Sequence, residues 1–292
     1  AAQTSTASVA RALTLFYQLI GRKKRRGIEI NALQRLTEAA RIVTRRREEG
    51  NSSGYDESRL EIEVELATST LRETEASIDR LRMVLKRLLG LMEYDIEWVG
   101  SLAADPSLYP EDTVQTNFKK PKSVRFLQAG ALRAEAAYRS SAWTWIPEFV
   151  LSAGPRRNHL SSVNMGYTLE VALELPFFSR GQDLAARAAA RRKQAQARVE
   201  KAERQTQIQW QQAKQRLMSA RSETQRLATN TTPHIARLER AAQSGYREGE
   251  LSILELLDAR RARTLIERRQ LELALAIKKA EVELCSARGD YE

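Results

Sequence analysis

The strongest constraint on this chain is a heptad seam. Val64, Ala67, Leu71, Thr74, Ile78, Leu81, Leu85 and Leu88 stand alternately three and four residues apart, the spacing of a helix packed lengthwise against a partner. Gly90 follows where a helix-ending glycine belongs. The rest of the composition agrees with long helices: 29% of the 292 residues are charged, 6% are aromatic, and Gly and Pro number 13 and 7. That profile argues against a doubly wound enzyme or a β-sandwich. A mean hydropathy of −0.50 excludes a helical membrane bundle, and no stretch reaches the roughly 18 apolar residues of a spanning helix. A spanning strand needs only about 10 alternating residues, so a barrel stays open.

The seam has company on both sides. Residues 5–44 read as helix, with Phe16, Leu19 and Ile20 on an apolar face and Asn51-Ser52-Ser53-Gly54 as its break. Asp105-Pro106, Tyr109-Pro110 and Lys120-Pro121 mark an irregular connector, and a shorter helix runs from about Ser123 to Ala142. Gln182 to Ala228 reads as a long helix of roughly 70 Å. Thr229-Asn230-Thr231-Thr232-Pro233 reads as a turn, with a helix returning from His234 to Ala287 and interrupted near Gly245 and Gly249. The last helix is apolar on more than one side. Ala262, Leu265, Ile266, Leu273, Ala276, Ile277, Ala280 and Leu284 make one stripe, widened by Leu271, Leu275 and Val282. Arg268, Arg269, Glu272, Lys279, Glu281 and Glu283 are assigned to faces in water.

Between the helical stretches the period falls to two. Pro147, Phe149, Leu151 and Ala153 alternate with Glu148, Ser152 and Gly154; Tyr167, Leu169, Val171, Leu173 and Leu175 alternate with Thr168, Glu170, Ala172 and Glu174. With Pro155 to Asn164 as a loop, this is a β-hairpin with one wet and one apolar face. The pattern alone leaves open a surface hairpin on a helical core and two strands of a lipid-facing barrel.

The chain also repeats itself. A shift of 199 positions aligns Arg41 with Arg240, Glu49 with Glu248, Gly50 with Gly249, Ser53 with Ser252, Leu85 with Leu284 and Gly90 with Gly289. Ala1-Ala2-Gln3-Thr4 has no apolar signal core. By the symmetry of the repeat a first hairpin belongs before residue 1, so an N-terminal truncation is expected.

Chemistry-bearing clusters are sparse. One cysteine, Cys285, excludes a disulfide framework, and two histidines, His159 and His234, stand 75 positions apart. No catalytic residue, cofactor or metal site is expected. The net charge of +11 and the runs Arg22–Arg26, Arg45–Arg47 and Arg191–Lys193 read as solvated helix faces, because no nucleic-acid reading element accompanies them.

Ala242 to Arg261, which contains Gly245-Tyr246-Arg247-Glu248-Gly249 and Leu256-Leu257-Asp258-Ala259-Arg260-Arg261, resembles the Gly-Tyr-x-x-Gly and Leu-Leu-Asp-Ala-x-Arg signatures of the TolC-like outer-membrane efflux channels. Gly50 to Gly90 resembles the matching segment of that family's first half. Trp145-Ile146-Pro147 and Leu175-Pro176 through Gly181-Gln182 resemble its strand–helix junctions, and Phe16-Tyr17-Gln18-Leu19-Ile20 its heavy-metal branch. The resemblance implies a mainly α fold with a small β part. Residues 1–92 would be a first long-helix unit, 93–121 a connector, 122–144 a helix leading to the barrel, 145–178 the β-hairpin and 179–292 a second long-helix unit. It also implies a homotrimer with a shared transmembrane β-barrel in outer-membrane lipid and a helical tunnel in the periplasm. An adaptor protein and an inner-membrane pump would be its partners, Glu148, Glu170 and Glu174 its lumen carboxylates. Family members carry acidic rings at the periplasmic end, and the stretch Ala228–Ile235, taken as that end, holds no acid. The alternatives are a periplasmic adaptor with a long helical hairpin and a basic helical nucleic-acid-binding protein.

Overall fold

The computed structural model describes residues 2–50, 53–103, 121–141, 143, 149–158, 164–173 and 182–289. Its helices are α1 (Ala2–Glu48), α2 (Gly54–Leu89), α3 (Lys122–Ser141), α4 (Gln182–Arg226), α5 (Thr232–Glu248) and α6 (Ile253–Arg288), with strands β1 (Phe149–Asn158) and β2 (Asn164–Leu173). Two compact units result, one of residues 1–119 and 206–292 and one of residues 120–205.

The first unit is built from two helical hairpins, and the same local chemistry makes both. Helices α2 and α6 are each 36 residues long, with bounds at the 199-residue offset of the repeat. Each starts at a serine N-cap, Ser53 or Ser252, whose side chain accepts the third backbone N–H. Among the described residues the positive-φ positions are Gly50 (77°), Gly90 (69°), Gly249 (84°) and Gly289 (77°). These are the glycines that the repeat pairs, each past a helix end where a Cβ would be strained. After Gly249 the N–H of Glu250 reaches the Gly245 carbonyl at 2.8 Å; after Gly90 the N–H of Leu91 reaches Lys86 at 2.8 Å, the same closing bond.

One expected turn is absent. Residues 227–231 form a π-helical turn that joins α4 to α5 without reversing the chain. Cross-helix partners advance in step through it: Arg216 with Glu283, Arg221 with Glu281, Gln270 with Thr232, and Arg263 with Glu239. From Arg216 onwards the run α4–α5 is thus antiparallel to α6, and the reversal lies at Gly249–Ser252. Proline is tolerated because it sits in the first turn of α5, where the wider π turn relieves its clash with the preceding carbonyls. The Thr232 hydroxyl donates to the Leu227 carbonyl at 3.0 Å. His234 falls within α5, its Nδ1 at 3.1 Å from Arg237 Nη2, and Gly245 lies inside the helix it was expected to interrupt.

The seam on α2 faces α1. Leu60, Thr74, Ile78 and Leu85 are buried, with Val64, Ala67, Leu71 and Leu81 half-buried, while Leu88 at its end is exposed. Phe16 and Leu19 of α1 join Ile78, Leu85 and Trp98 in one cluster. Helix α6 lies between α1 and α4–α5, and its burial departs from the expectation in three places. Leu265 and Ala276 are exposed, and Glu281 is 5% exposed. That carboxylate turns inward because Lys278 Nζ donates to it at 2.9 Å and Arg221 stands at 3.7 Å.

The second unit pairs α3 with the first part of α4. Gln128 donates to Glu203 at 2.8 Å, and the Arg192 guanidinium lies over the Tyr138 ring at 4.4 Å. Strands β1 and β2 pair antiparallel from Phe149↔Leu173 to Asn158↔Asn164. The strands therefore extend beyond their expected ends: Pro155 to Asn158, and Asn164, belong to the ladder and not to the loop.

Replacing Ser252 by Ala is expected to cost about 1 kcal/mol, and replacing Gly249 by Ala about 1–2 kcal/mol. Chemical unfolding followed by circular dichroism checks both. An unchanged midpoint for either would contradict the assignment of these residues as caps.

Candidate functional site

The signature residues gather where the two helical hairpins reverse. Ala39 and Val43 of α1, Leu60 of α2, Ala242 and Tyr246 of α5, and Ile253, Leu256, Leu257 and Ala259 of α6 form one buried cluster. Leu257 and Ala259 are 1% and 3% exposed, so they serve packing. Asp258 points out to solvent, 3.6 Å from Arg261. Gly245 has a steric role, since a Cβ there would stand 2.7 Å from Leu251. Tyr246 is buried beneath Arg46 of α1, whose guanidinium lies 5.0 Å from the ring centroid and donates to the Tyr246 carbonyl. The reversal is edged by exposed acids, Glu48 and Glu49 on one hairpin and Glu248 and Glu250 on the other. The acid-free stretch Ala228–Ile235 is therefore not the reversal.

Behind the tip the helices are joined by arginine–glutamate pairs. Glu29 of α1 is 2% exposed and accepts from both Nε and Nη2 of Arg268 at 3.0 and 2.6 Å. Arg35 reaches Glu267 at 3.1 Å, and Arg263 bridges Glu239 and Glu267 at 3.2 and 2.7 Å. Hydrogen bonding to Glu267 raises the pKa of Arg263. Burial lowers that of Arg260, against the opposing pull of Glu38 and Glu239. Sequence reasoning missed Arg46, Glu29 and Arg260. A signal existed for Glu29, which continues the buried stripe of Ala32, Ala39 and Val43 at helical spacing.

In the hairpin, Leu151↔Val171, Ala153↔Leu169 and Pro155↔Tyr167 pair directly across the strands, as does Phe149↔Leu173. Direct pairs share a face, so this face is apolar. Leu151, Leu169, Val171 and Tyr167 are 60%, 73%, 56% and 93% exposed. Glu170 pairs with Ser152 on the opposite face, beside Val150↔Ala172 and Gly154↔Thr168. Pro147, Glu148, His159, Glu174, Leu175, Pro176 and Gly181 lie outside the described residues. Among the described residues no group of His, Cys, Asp and Glu could hold a metal, and no helix is long and apolar enough to cross a membrane.

Paired helical hairpins joined through a β-hairpin define the class: this is the fold of the TolC-like outer-membrane channels. The chain is 25% identical over 253 residues to the cobalt-zinc-cadmium resistance protein CzcC of Cupriavidus metallidurans, covering 86% of this chain and 60% of that one. It superposes on the outer membrane protein VceC of Vibrio cholerae with a TM-score of 0.83 at 15% identity, over 97% of this chain and 70% of the other. For CusC the TM-score is 0.83 at 16% identity, over 97% and 68%. No family model matches. The likeness read from the signatures is thus borne out in the fold, over less than two thirds of the length of CzcC.

Two outcomes follow from this geometry. Removing the Glu29 carboxylate by Glu29→Ala leaves Arg268, itself a third exposed, to be hydrated in place of its pairing, and is expected to cost about 1–3 kcal/mol in equilibrium unfolding; an unchanged stability would contradict the burial. Glu255 closes the capping box, accepting from the Ser252 backbone N–H and from its hydroxyl, both at 2.8 Å, and these bonds lower its pKa. A depressed carboxylate stabilises the fold above its ordinary range and loses that contribution as pH falls through its folded value. Wild type should therefore exceed Glu255→Gln in stability near neutral pH, and the two should converge in acid. A gap that widens in acid would reverse the sign.

Proposed function

We propose that the protein is the outer-membrane channel component of a tripartite efflux pump, a passive conduit that exports metal ions or small toxic compounds from the periplasm. The observation that carries this reading is the hairpin register. It puts Phe149, Leu151, Ala153 and Pro155 with Tyr167, Leu169 and Val171 on one apolar face and Glu170 on the other. Lipid accepts such a sheet if its strands close into a barrel, because open edges leave backbone groups unsatisfied. A one-residue slip would put carboxylates into hydrocarbon at a few kcal/mol each.

In this reading the channel is a homotrimer, each protomer giving four strands to a 12-stranded barrel, with the long helices forming the periplasmic tunnel. The tip at Gly50 and Gly249 meets the adaptor protein and the inner-membrane pump. Glu170, with Glu148 and Glu174, lines the lumen. The name of the Cupriavidus relative supports a metal cargo, and the likeness of fold to VceC and CusC supports the channel.

The test is made on the full-length protein in detergent and in planar bilayers. Light scattering is expected to give a trimer, and the bilayer steady conductance with a cation preference that Glu170→Gln lowers. A monodisperse monomer without conductance overturns the proposal.

A further inference from the structure

A groove of about 580 Å³ opens between α1, α2 and α6, and four arginines line it: Arg22, Arg25, Arg80 and Arg268. Guanidinium groups stay charged at any physiological pH. The buried carboxylate of Glu29 serves two of them, accepting from Arg25 Nε at 3.3 Å and from Arg268 Nε and Nη2. Its oxygens are then occupied. Glu272 also lines the groove, but it is 61% exposed and stands 3.6 Å from Arg269. Among the described residues, Arg22 and Arg80 form no ion pair. Their helices are fixed against each other by the seam, so the two cations line one groove, and neither is paired with the Glu272 carboxylate that also lines it. Gln18 adds a hydrogen-bonding group, the Ser77 hydroxyl donates to the Thr74 carbonyl at 2.7 Å, and Leu81, Val84 and Leu275 give an apolar wall.

The geometry points to a binding site for a phosphate-type oxyanion, free or esterified to a small organic group. Such an anion offers several acceptor oxygens to several forked donors at once, the arrangement arginine favours. A monovalent halide would satisfy one donor and leave the others unpaired. The channel reading is not used in this argument, and neither conductance nor trimer formation tests it.

The experiment is calorimetric titration of the intact protein in detergent with inorganic pyrophosphate at fixed ionic strength. Saturable binding is expected, weakened about tenfold or more by Arg22→Gln or Arg80→Gln and unchanged by Arg45→Gln, an exposed arginine outside the groove. Phenylglyoxal labelling read by mass spectrometry needs no variant, and pyrophosphate is expected to protect Arg22 and Arg80. A short-chain phosphatidate binding more tightly than glycerol phosphate would identify a lipid headgroup as the source; equal binding would identify a free phosphate. The proposal is overturned by absent saturation, by equal weakening in Arg45→Gln, by unprotected arginines, or by oligoglutamate binding where pyrophosphate does not.

Discussion

Helix α6 is covered on two flanks and free along one stripe, Asp258, Arg261, Leu265, Arg269, Glu272, Ala276 and Lys279, and the first unit is arranged around that fact. Its buried residues include Leu256, Leu257, Leu273, Ile277, Val282 and Leu284, which no single antiparallel partner could cover. It therefore takes α1 on one flank and α4–α5 on the other. Glu281, which is buried, is met by Arg221 of α4 and by Lys278 on α6 itself, and the half-buried Arg268 by Glu29 of α1. An unmatched charge at Glu281 or Glu29 would cost several kcal/mol. The ion pairs therefore fix the register of helices whose apolar surfaces alone would slide.

Much of this was legible in the sequence wherever a pattern had one physical meaning. The seam from Val64 to Leu85 could only be a packed helix face, and alternation over Tyr167 to Leu173 could only be a strand with two unlike faces. The repeat was legible through glycines, because αL positions after a helix admit few other residues. Misreadings arose where a residue type has two uses. Thr229-Asn230-Thr231-Thr232-Pro233 has the composition of a turn, yet proline in a first helical turn is tolerated, and a π turn accommodated it. Pro155 to Asn158 is polar like a loop, but in a solvent-exposed hairpin the ladder needs no apolar side chains to continue.

The site was less legible than the fold for a related reason. Glycine and proline announce backbone geometry, whereas a charged side chain announces nothing about its partner. Glu29 lies on the inner stripe of α1 and Arg268 far away on α6, so the first could be suspected of needing a cation but not matched to one. Arg46 is harder still, because it sits in a run of three arginines and one of them covers a tyrosine some 200 residues later. Moving the reversal from Pro233 to Gly249 changes the chemistry of the tip with it, from a neutral threonine-rich stretch to one edged by Glu248 and Glu250. An error in topology had become an error in electrostatics.

The hairpin carries the remaining argument. Two strands form one ladder and leave two open edges, each a row of unpaired donors and acceptors. In water such an edge is hydrated, but Leu169 and Val171 then present their apolar face to solvent at 73% and 56% exposure. An isolated two-stranded hairpin is marginal in water, and this one has no apolar cover among the described residues. In lipid the balance inverts. The apolar face becomes favourable and the edges become intolerable, because nothing in hydrocarbon can hydrate them. The two requirements are met together when further strands close the sheet and the Glu170 face surrounds water. The same ten-residue strands that are poorly placed in either solvent alone are suited to the boundary between the two.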